Sequence, residues 1–210
     1  MNVLHVGATG LVGRLVLARL LDASAVARIV APTRRALGSA HPKLHNPVID
    51  FEALPEAAEW WAVDAVICTL GTTLADAGSR DAFRRVDHDY PLQVARLARR
   101  HGAGTFALNS ALGANARSSI FYNRVKGELE AALAALDYPA LVLVRPGLID
   151  GEREHERPGE RRALAVSRVL RPLLPNAWRP SRAERIAGAL VDAVLQPVPG
   201  RRVVSAARLA

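Results

Sequence analysis

Residues 2–13 read NVLHVGATGLVG, an apolar strand-like run that meets Gly7, Gly10 and Gly13 and passes into the helical pattern LVGRLVLARLL. A tight strand-to-helix turn needs residues without a Cβ if an anionic group is to approach its backbone. The free N–H groups and positive dipole end of the following helix then favour that anion. Gly7 permits the turn, Gly10 the close approach, and Gly13 the packing of helix on strand. Together with Thr9, Leu11 and Val12 they form the expected pyrophosphate-binding turn of a dinucleotide site. A glycine triplet alone carries little weight; the strand before it and the helix after it are the context the motif requires.

Beyond this turn, apolar runs alternate with helical patterns. Strands are expected at 3–6, 28–31, 47–49, 65–70, 105–108, 141–144 and 202–205, and helices at 11–21, 52–61, 79–100, 119–136, 161–170 and 181–195. The strand runs are nearly continuous in Val, Ile and Leu, as in a sheet covered on both faces. The alternation is that of βαβ units. The expected fold is α/β: one Rossmann-like domain over 1–210, a doubly wound parallel sheet flanked by helices with a short C-terminal substrate-side extension. Charge density rises at 151–162, where Gly and Pro also appear, and this segment reads as a long loop.

With 210 residues and 50% hydrophobic composition the chain can bury a core as one domain. It has no apolar run long enough to cross a bilayer and no basic segment ahead of an apolar one at its start, so a cytoplasmic protein without membrane contact is expected. A single cysteine, Cys68, lies in a strand pattern; it supports no disulfide framework and reads as a buried small hydrophobe. The six histidines show no metal-ligand spacing, and no metal is expected. The net charge of +8 raises the question of nucleic acid. Lys43 and Lys126 are the lysines among 28 basic residues, and the arginines are scattered among acids without aromatic interleaving, so no nucleic-acid partner is expected. Steering of an anionic cofactor is a milder use of that charge.

After the second strand, where a NAD site carries an acid for the ribose hydroxyls, this chain has Thr33, Arg34 and Arg35, about 20 residues beyond Gly13. A carboxylate there repels a 2′-phosphate, whereas guanidinium groups and a hydroxyl hold one, so NADP(H) is expected over NAD(H). The other reading is two solvated arginines on a loop.

Asn109-Ser110 ends the fifth expected strand, and Tyr122 and Lys126 follow on one face of a helix, one turn apart. A free phenol ionises near pH 10 and is a poor acid–base catalyst at neutral pH; a neighbouring ammonium and the positive end of a nicotinamide favour its anion. In this set Ser110 bonds the substrate oxygen, Tyr122 passes the proton, and Lys126 serves both the phenol and the cofactor ribose.

The chain resembles the short-chain dehydrogenase/reductase superfamily, in its atypical branch related to the HIV Tat-interacting-protein-like oxidoreductases. The resemblance rests on GATGLVG at 7–13, CTLGTT at 68–73, RVDHDYP at 85–91, YNRVKGELE at 122–130 and RPGLIDGEREHERPGE at 145–160. It implies a Rossmann fold, NADP(H) binding, and a catalytic Ser110, Tyr122 and Lys126. It also implies that Leu70 and Gly71 line the cofactor cleft, that Pro146, Gly147 and Leu148 approach the nicotinamide, and that Asp50 lies near the adenine. Two departures stand out. CTLGTT replaces an Asn-Ala-Gly segment of the larger enzymes, and Asp87 falls where those enzymes often use a helical asparagine. The chain is also too short for the bulky C-terminal domain of nucleotide-sugar enzymes, so a small carbonyl or alcohol substrate is expected. The segment 146–180 reads as a substrate-side flap, with Arg153, His155 and Arg157 as contacts to an anionic group. A rival reading from another class is a non-catalytic NADP(H) sensor that presents a surface to a protein partner; oligomeric state stays open.

Overall fold

A computed structural model of the chain describes residues 1–150 and 180–210. Seven strands form one sheet: β1 (Asn2–Val6), β2 (Arg28–Val30), β3 (Leu44–His45), β4 (Ala65–Cys68), β5 (Thr105–Asn109), β6 (Ala140–Arg145) and, beyond the short pair β7 (Ile149–Asp150) and β8 (Ser181–Arg182), β9 (Gly200–Ser205). Their order is β3-β2-β1-β4-β5-β6-β9, every neighbour parallel. The helices are α1 (Leu11–Asp22), α2 (Leu74–Ala77), α3 (Arg80–Arg84), α4 (Tyr90–Arg100), α5 (Phe121–Ala134) and α6 (Ala183–Leu195). This is the doubly wound Rossmann order. The chain runs outward from β1 on one side and from β4 on the other, which opens a crevice at the strands' carboxyl ends.

Successive residues of the central strands β1, β4, β5 and β6 serve opposite faces, and both faces are dry. Val3, Ile29, Ala65 and Ile67 join Val16 and Leu20 of α1 and Ile186 and Leu190 of α6 in one cluster. Leu4, Val30, Val66 and Phe106 join Val94 of α4 and Leu129 and Leu133 of α5 in the other. Each such side chain taken fully from water contributes about 1.5–3 kcal/mol. This two-sided burial explains why the strands carry no polar alternation.

Three elements differ from the sequence expectation. The third strand lies at Leu44–His45 rather than 47–49, where only a Thr33–Val48 bridge forms. The helix expected at 52–61 is a single tight turn, Glu59–Trp61. Here Pro55 interrupts any helix, its carbonyl accepts the Trp61 indole N–H at 2.8 Å, and Phe51, Trp60 and Trp61 are buried as a loop cluster. The expected helix 79–100 is divided by a wider, π-type turn at Arg85–Asp89, where the Tyr90 N–H reaches back five residues to Arg85. Pro91 in the first turn of α4 supplies no N–H, which favours the change of ladder at that point. The expected helix 161–170 lies outside the described residues.

Candidate functional site

The glycine turn sits at the carboxyl end of β1. Gly7 has a φ of +92°, and a Cβ on it would lie 2.6 Å from the carbonyl carbon of Thr69. A Cβ on Gly13 would lie 2.0 Å from the Gly7 carbonyl oxygen, so α1 and β1 meet backbone to backbone. The Gly7 carbonyl also accepts the Gly10 N–H at 3.1 Å. No side chain caps α1 at Gly10, which leaves the first helical N–H groups for a ligand.

A buried histidine braces this turn from below. The Thr69 hydroxyl lies 3.1 Å from the carbonyl oxygens of both Val6 and Gly7, and 3.2 Å from His5 Nε2. Since the hydroxyl proton is committed to a carbonyl, His5 donates from Nε2, an assignment that follows from the network. Burial pushes the His5 imidazole down to about 3, so it stays neutral.

The opposite wall is carried by α5. Tyr122, Lys126 and Glu130 recur every four residues and share one helix face. The Tyr122 ring packs against Phe83 of α3 at 5.6 Å between centroids. Lys126 Nζ lies 2.7 Å from Asp87 Oδ1, with the two side chains only 4% and 1% exposed. The other Asp87 oxygen accepts the Thr72 N–H at 2.8 Å. Burial alone would lower the Lys126 ammonium; the Asp87 carboxylate, aided by Tyr122, outweighs it and holds the group above its ordinary value. Burial pushes the nearby Cys68 thiol up to about 12, which leaves it inert.

Ser110 follows β5 and is fixed from two sides. Its N–H donates to the Val144 carbonyl at 2.7 Å, and its hydroxyl donates to Glu130 Oε1 at 2.6 Å. Glu130 in turn accepts Arg145 Nε at 2.9 Å on Oε1 and Arg145 Nη2 on Oε2, while Arg201 Nη2 of β9 stands 3.7 Å from Oε2. The carboxylate holds the Arg145 guanidinium above its ordinary value.

Between the walls lies a cleft of about 730 Å³. Thr9, Gly10, Leu11, Val12 and Gly13 line one side, Leu70 and Gly71 the floor after β4, and Ser110, Tyr122 and Lys126 the other side. Pro146, Gly147 and Leu148 close it after β6. That segment is tied down by the Leu112 N–H on the Pro146 carbonyl at 2.7 Å and the Gly147 N–H on the Ser181 hydroxyl at 3.0 Å. Asn109 Oδ1 is buried in this wall without a hydrogen-bond donor among the described residues. A glycine-walled cleft, a bare helix N-terminus and an orphaned acceptor fit a dinucleotide.

Thr33, Arg34, Arg35 and Asp50 are not among the residues that line the cleft. Arg34 and Arg35 are exposed beyond β2. The Thr33 hydroxyl is spent within its loop: it donates to the Arg35 carbonyl at 2.6 Å and accepts from Asn46 Nδ2 at 2.8 Å. It therefore has no proton to offer a phosphate, contrary to the sequence expectation for that residue. Arg153, His155 and Arg157 lie outside the described residues. Sequence reasoning passed over Arg14, which lines the cleft directly after Gly13, and over Glu130. Glu130 was visible as the next member of the four-residue series from Tyr122 and Lys126. Among the described residues no cluster of three potential metal ligands occurs, and no helix is long and apolar enough to cross a membrane.

No protein-family model matches the chain. Among curated proteins it is 34% identical over 209 residues to "Protein fmp52, mitochondrial" of Emericella nidulans, covering 95% of this chain and 89% of that protein. It is 36% identical over 181 residues to "Protein HTATIP2" of Rattus norvegicus, covering 84% and 73%. Among solved structures it superposes on MoeE5 in complex with UDP-glucuronic acid and NAD with a TM-score of 0.75 at 14% identity, covering 97% and 75%. It superposes on a short-chain dehydrogenase/reductase family oxidoreductase from Burkholderia thailandensis at 0.67 and 19%, covering 99% and 92%. At these identities the structures establish the fold, that of NAD-binding reductase and epimerase proteins. The expectation of a cytoplasmic protein does not stand, because the Fmp52 relatives are named mitochondrial. That expectation rested on charge and apolar run length, which bear on membrane crossing and not on compartment.

Proposed function

This chain belongs to the atypical short-chain dehydrogenase/reductase family of Fmp52 and HTATIP2, and from that premise we propose an NADP(H)-dependent oxidoreductase of a small carbonyl or alcohol compound. The observation that carries this reading is the convergence of Ser110, Tyr122 and Lys126 on one cleft, opposite the glycine turn. The backbone at 9–13 and the N-terminus of α1 hold the pyrophosphate, and Lys126 reaches toward the ribose. When bound, the nicotinamide supplies or accepts the hydride. Tyr122 passes the proton to or from the substrate oxygen, and Ser110 lies beside that oxygen. Arg14, Arg34 and Arg35 supply the positive field that favours a 2′-phosphate.

Titration with NADPH and NADH by fluorescence, followed by a carbonyl panel read through NADPH oxidation, tests this. The reading expects tighter binding of NADPH and a turnover that falls by about a hundredfold or more in Tyr122→Phe. Failure to bind either dinucleotide sinks it, and so does a Tyr122→Phe variant with undiminished turnover.

One observation favours a second reading. Asp87 already neutralises the Lys126 ammonium at 2.7 Å, which mutes the charge that would activate a phenol. A non-catalytic NADP(H) sensor with a protein partner needs no such activation. NADPH-selective binding without turnover on any panel member would favour it.

A further inference from the structure

We infer that Ser110 meets the substrate as a hydrogen-bond acceptor, with Glu130 as the positioning residue that makes it one, so the site takes a hydroxyl compound in preference to the matching carbonyl. This rests on the reading of Ser110, Tyr122 and Lys126 given above. Glu130 is buried, and both of its oxygens face guanidinium nitrogens: Arg145 Nε at 2.9 Å and Arg145 Nη2, with Arg201 Nη2 at 3.7 Å. Guanidinium groups only donate. Glu130 is therefore ionised and acceptor-only, and the proton in its 2.6 Å contact with Ser110 belongs to the serine.

A serine hydroxyl has one proton and two lone pairs. With the proton turned back into the protein, Ser110 presents lone pairs to the cleft that it lines. A substrate hydroxyl satisfies this arrangement. The Tyr122 phenol donates to the substrate oxygen, the substrate hydroxyl donates to Ser110, and Ser110 donates to Glu130, each proton used once. A carbonyl oxygen offers only lone pairs and meets lone pairs at Ser110, so it is held by Tyr122 alone. The unmade bond is worth about fivefold to tenfold in affinity.

Glu130→Gln makes the test sharp. An amide nitrogen opposes one donor, Arg145 Nε, on the Oε1 side but two Nη2 groups on the Oε2 side, so it turns toward Ser110 and donates to it. That frees the serine proton to point into the cleft, and the preference swings toward the carbonyl. A purely structural role for Glu130 would lower all affinities together and leave their ratio unchanged. Ser110→Ala keeps the Glu130–Arg145 pair and removes the preference outright, which covers the case in which Glu130→Gln does not fold.

The experiment is ligand titration by saturation-transfer NMR on the full chain saturated with NADPH. The probes are matched pairs: 2-propanol and acetone, cyclohexanol and cyclohexanone, 1-phenylethanol and acetophenone. Ketone turnover is followed by NADPH absorbance in the same samples. The expected result is tighter binding of the alcohol in the wild type by about fivefold, a ratio near one in Ser110→Ala, and a ratio moved toward the ketone in Glu130→Gln. NADPH binding with the ketone held as tightly as the alcohol overturns the inference, and so does NADPH binding with neither probe bound, or a ratio indifferent to both substitutions. Failure to bind NADPH at all overturns the dinucleotide reading instead.

Discussion

At Gly7 and Gly13 in the β1 wall of the cleft a Cβ has no room, whereas at the α5 wall each buried charge requires a particular partner. The first wall is backbone against backbone: Gly13 against the Gly7 carbonyl, braced by Thr69 and His5. The second is side chain against side chain, with Asp87 holding Lys126 and Glu130 holding Ser110 and Arg145. The difference predicts opposite sensitivities. The β1 wall is intolerant of volume, and the α5 wall is intolerant of losing half of a pair.

The largest effect belongs to volume. In Gly13→Val the new Cβ falls 2.0 Å from a backbone oxygen that has no rotamer to escape into. Either the turn opens or α1 leaves the sheet. Urea unfolding should show a loss of about 3 kcal/mol or more, and NADPH binding should vanish in whatever fraction folds. Wild-type stability and affinity in this variant would break the contrast at its stronger end.

Lys126→Met comes next. It leaves the Asp87 carboxylate buried with, among the described residues, the Thr72 N–H as its remaining hydrogen-bond donor, at a cost of about 3 kcal/mol. The double variant Asp87→Leu with Lys126→Met should recover much of that loss, since an apolar pair leaves no orphaned charge; an additive double variant would show that the ion pair is not coupled. The pH dependence has a definite sign. The Lys126 ammonium is held above its ordinary value by Asp87, so its contribution is complete below about pH 10 and is lost only as pH rises through the folded value. The stability difference between wild type and Lys126→Met should therefore be flat from pH 6 to 9 and shrink in alkali.

The same contrast separates what was legible in the sequence from what was not. The glycines of the β1 wall could be read because they lie within seven residues, and glycine has few other reasons to sit at that spacing between a strand and a helix. Tyr122 and Lys126 were legible for the same reason, as neighbours on one helix turn. The α5 wall's partners come from far away in the chain. Asp87 reaches Lys126 from a π-type turn that helical periodicity reads as plain helix, and Arg145 and Arg201 meet Glu130 across β6 and β9. The loop at 52–61 was misread because its apolar residues Leu54, Ala58 and Trp61 fall at helical spacing, while the burial of Trp60 and Trp61 is achieved around Pro55.

His5 sharpens the comparison, because it is the buried ionisable group of the β1 wall that has no charged partner. Its imidazole is pushed down to about 3 by burial, against about 6.5 in an unfolded chain. A depressed histidine means that the unfolded state takes up a proton which the folded state refuses. Its contribution to stability is full above about pH 6.5 and is lost progressively as pH falls toward 3. The slope approaches about 1.4 kcal/mol per pH unit, or about 2 kcal/mol between pH 6.5 and 4.5. His5→Leu should flatten that part of the acid limb in urea unfolding, leaving the carboxylates to set the rest. An unchanged acid limb would mean that water reaches the ring and the β1 wall is not dry.

The smallest effect asks how far the α5 wall extends. Arg145 grips Glu130 through two nitrogens, while Arg201 stands 3.7 Å away with 48% of its side chain exposed. Exposure screens that pair, so Arg201→Ala should cost about 0.5 kcal/mol, well below the cost of Arg145→Ala, which leaves a buried carboxylate largely uncompensated. Thermal unfolding of the two variants side by side measures the difference. Equal losses would mean that β9 belongs to the wall that positions Ser110. The inequality places the boundary of the site at β6, with β9 as an edge strand whose arginine only adds to a charge already satisfied.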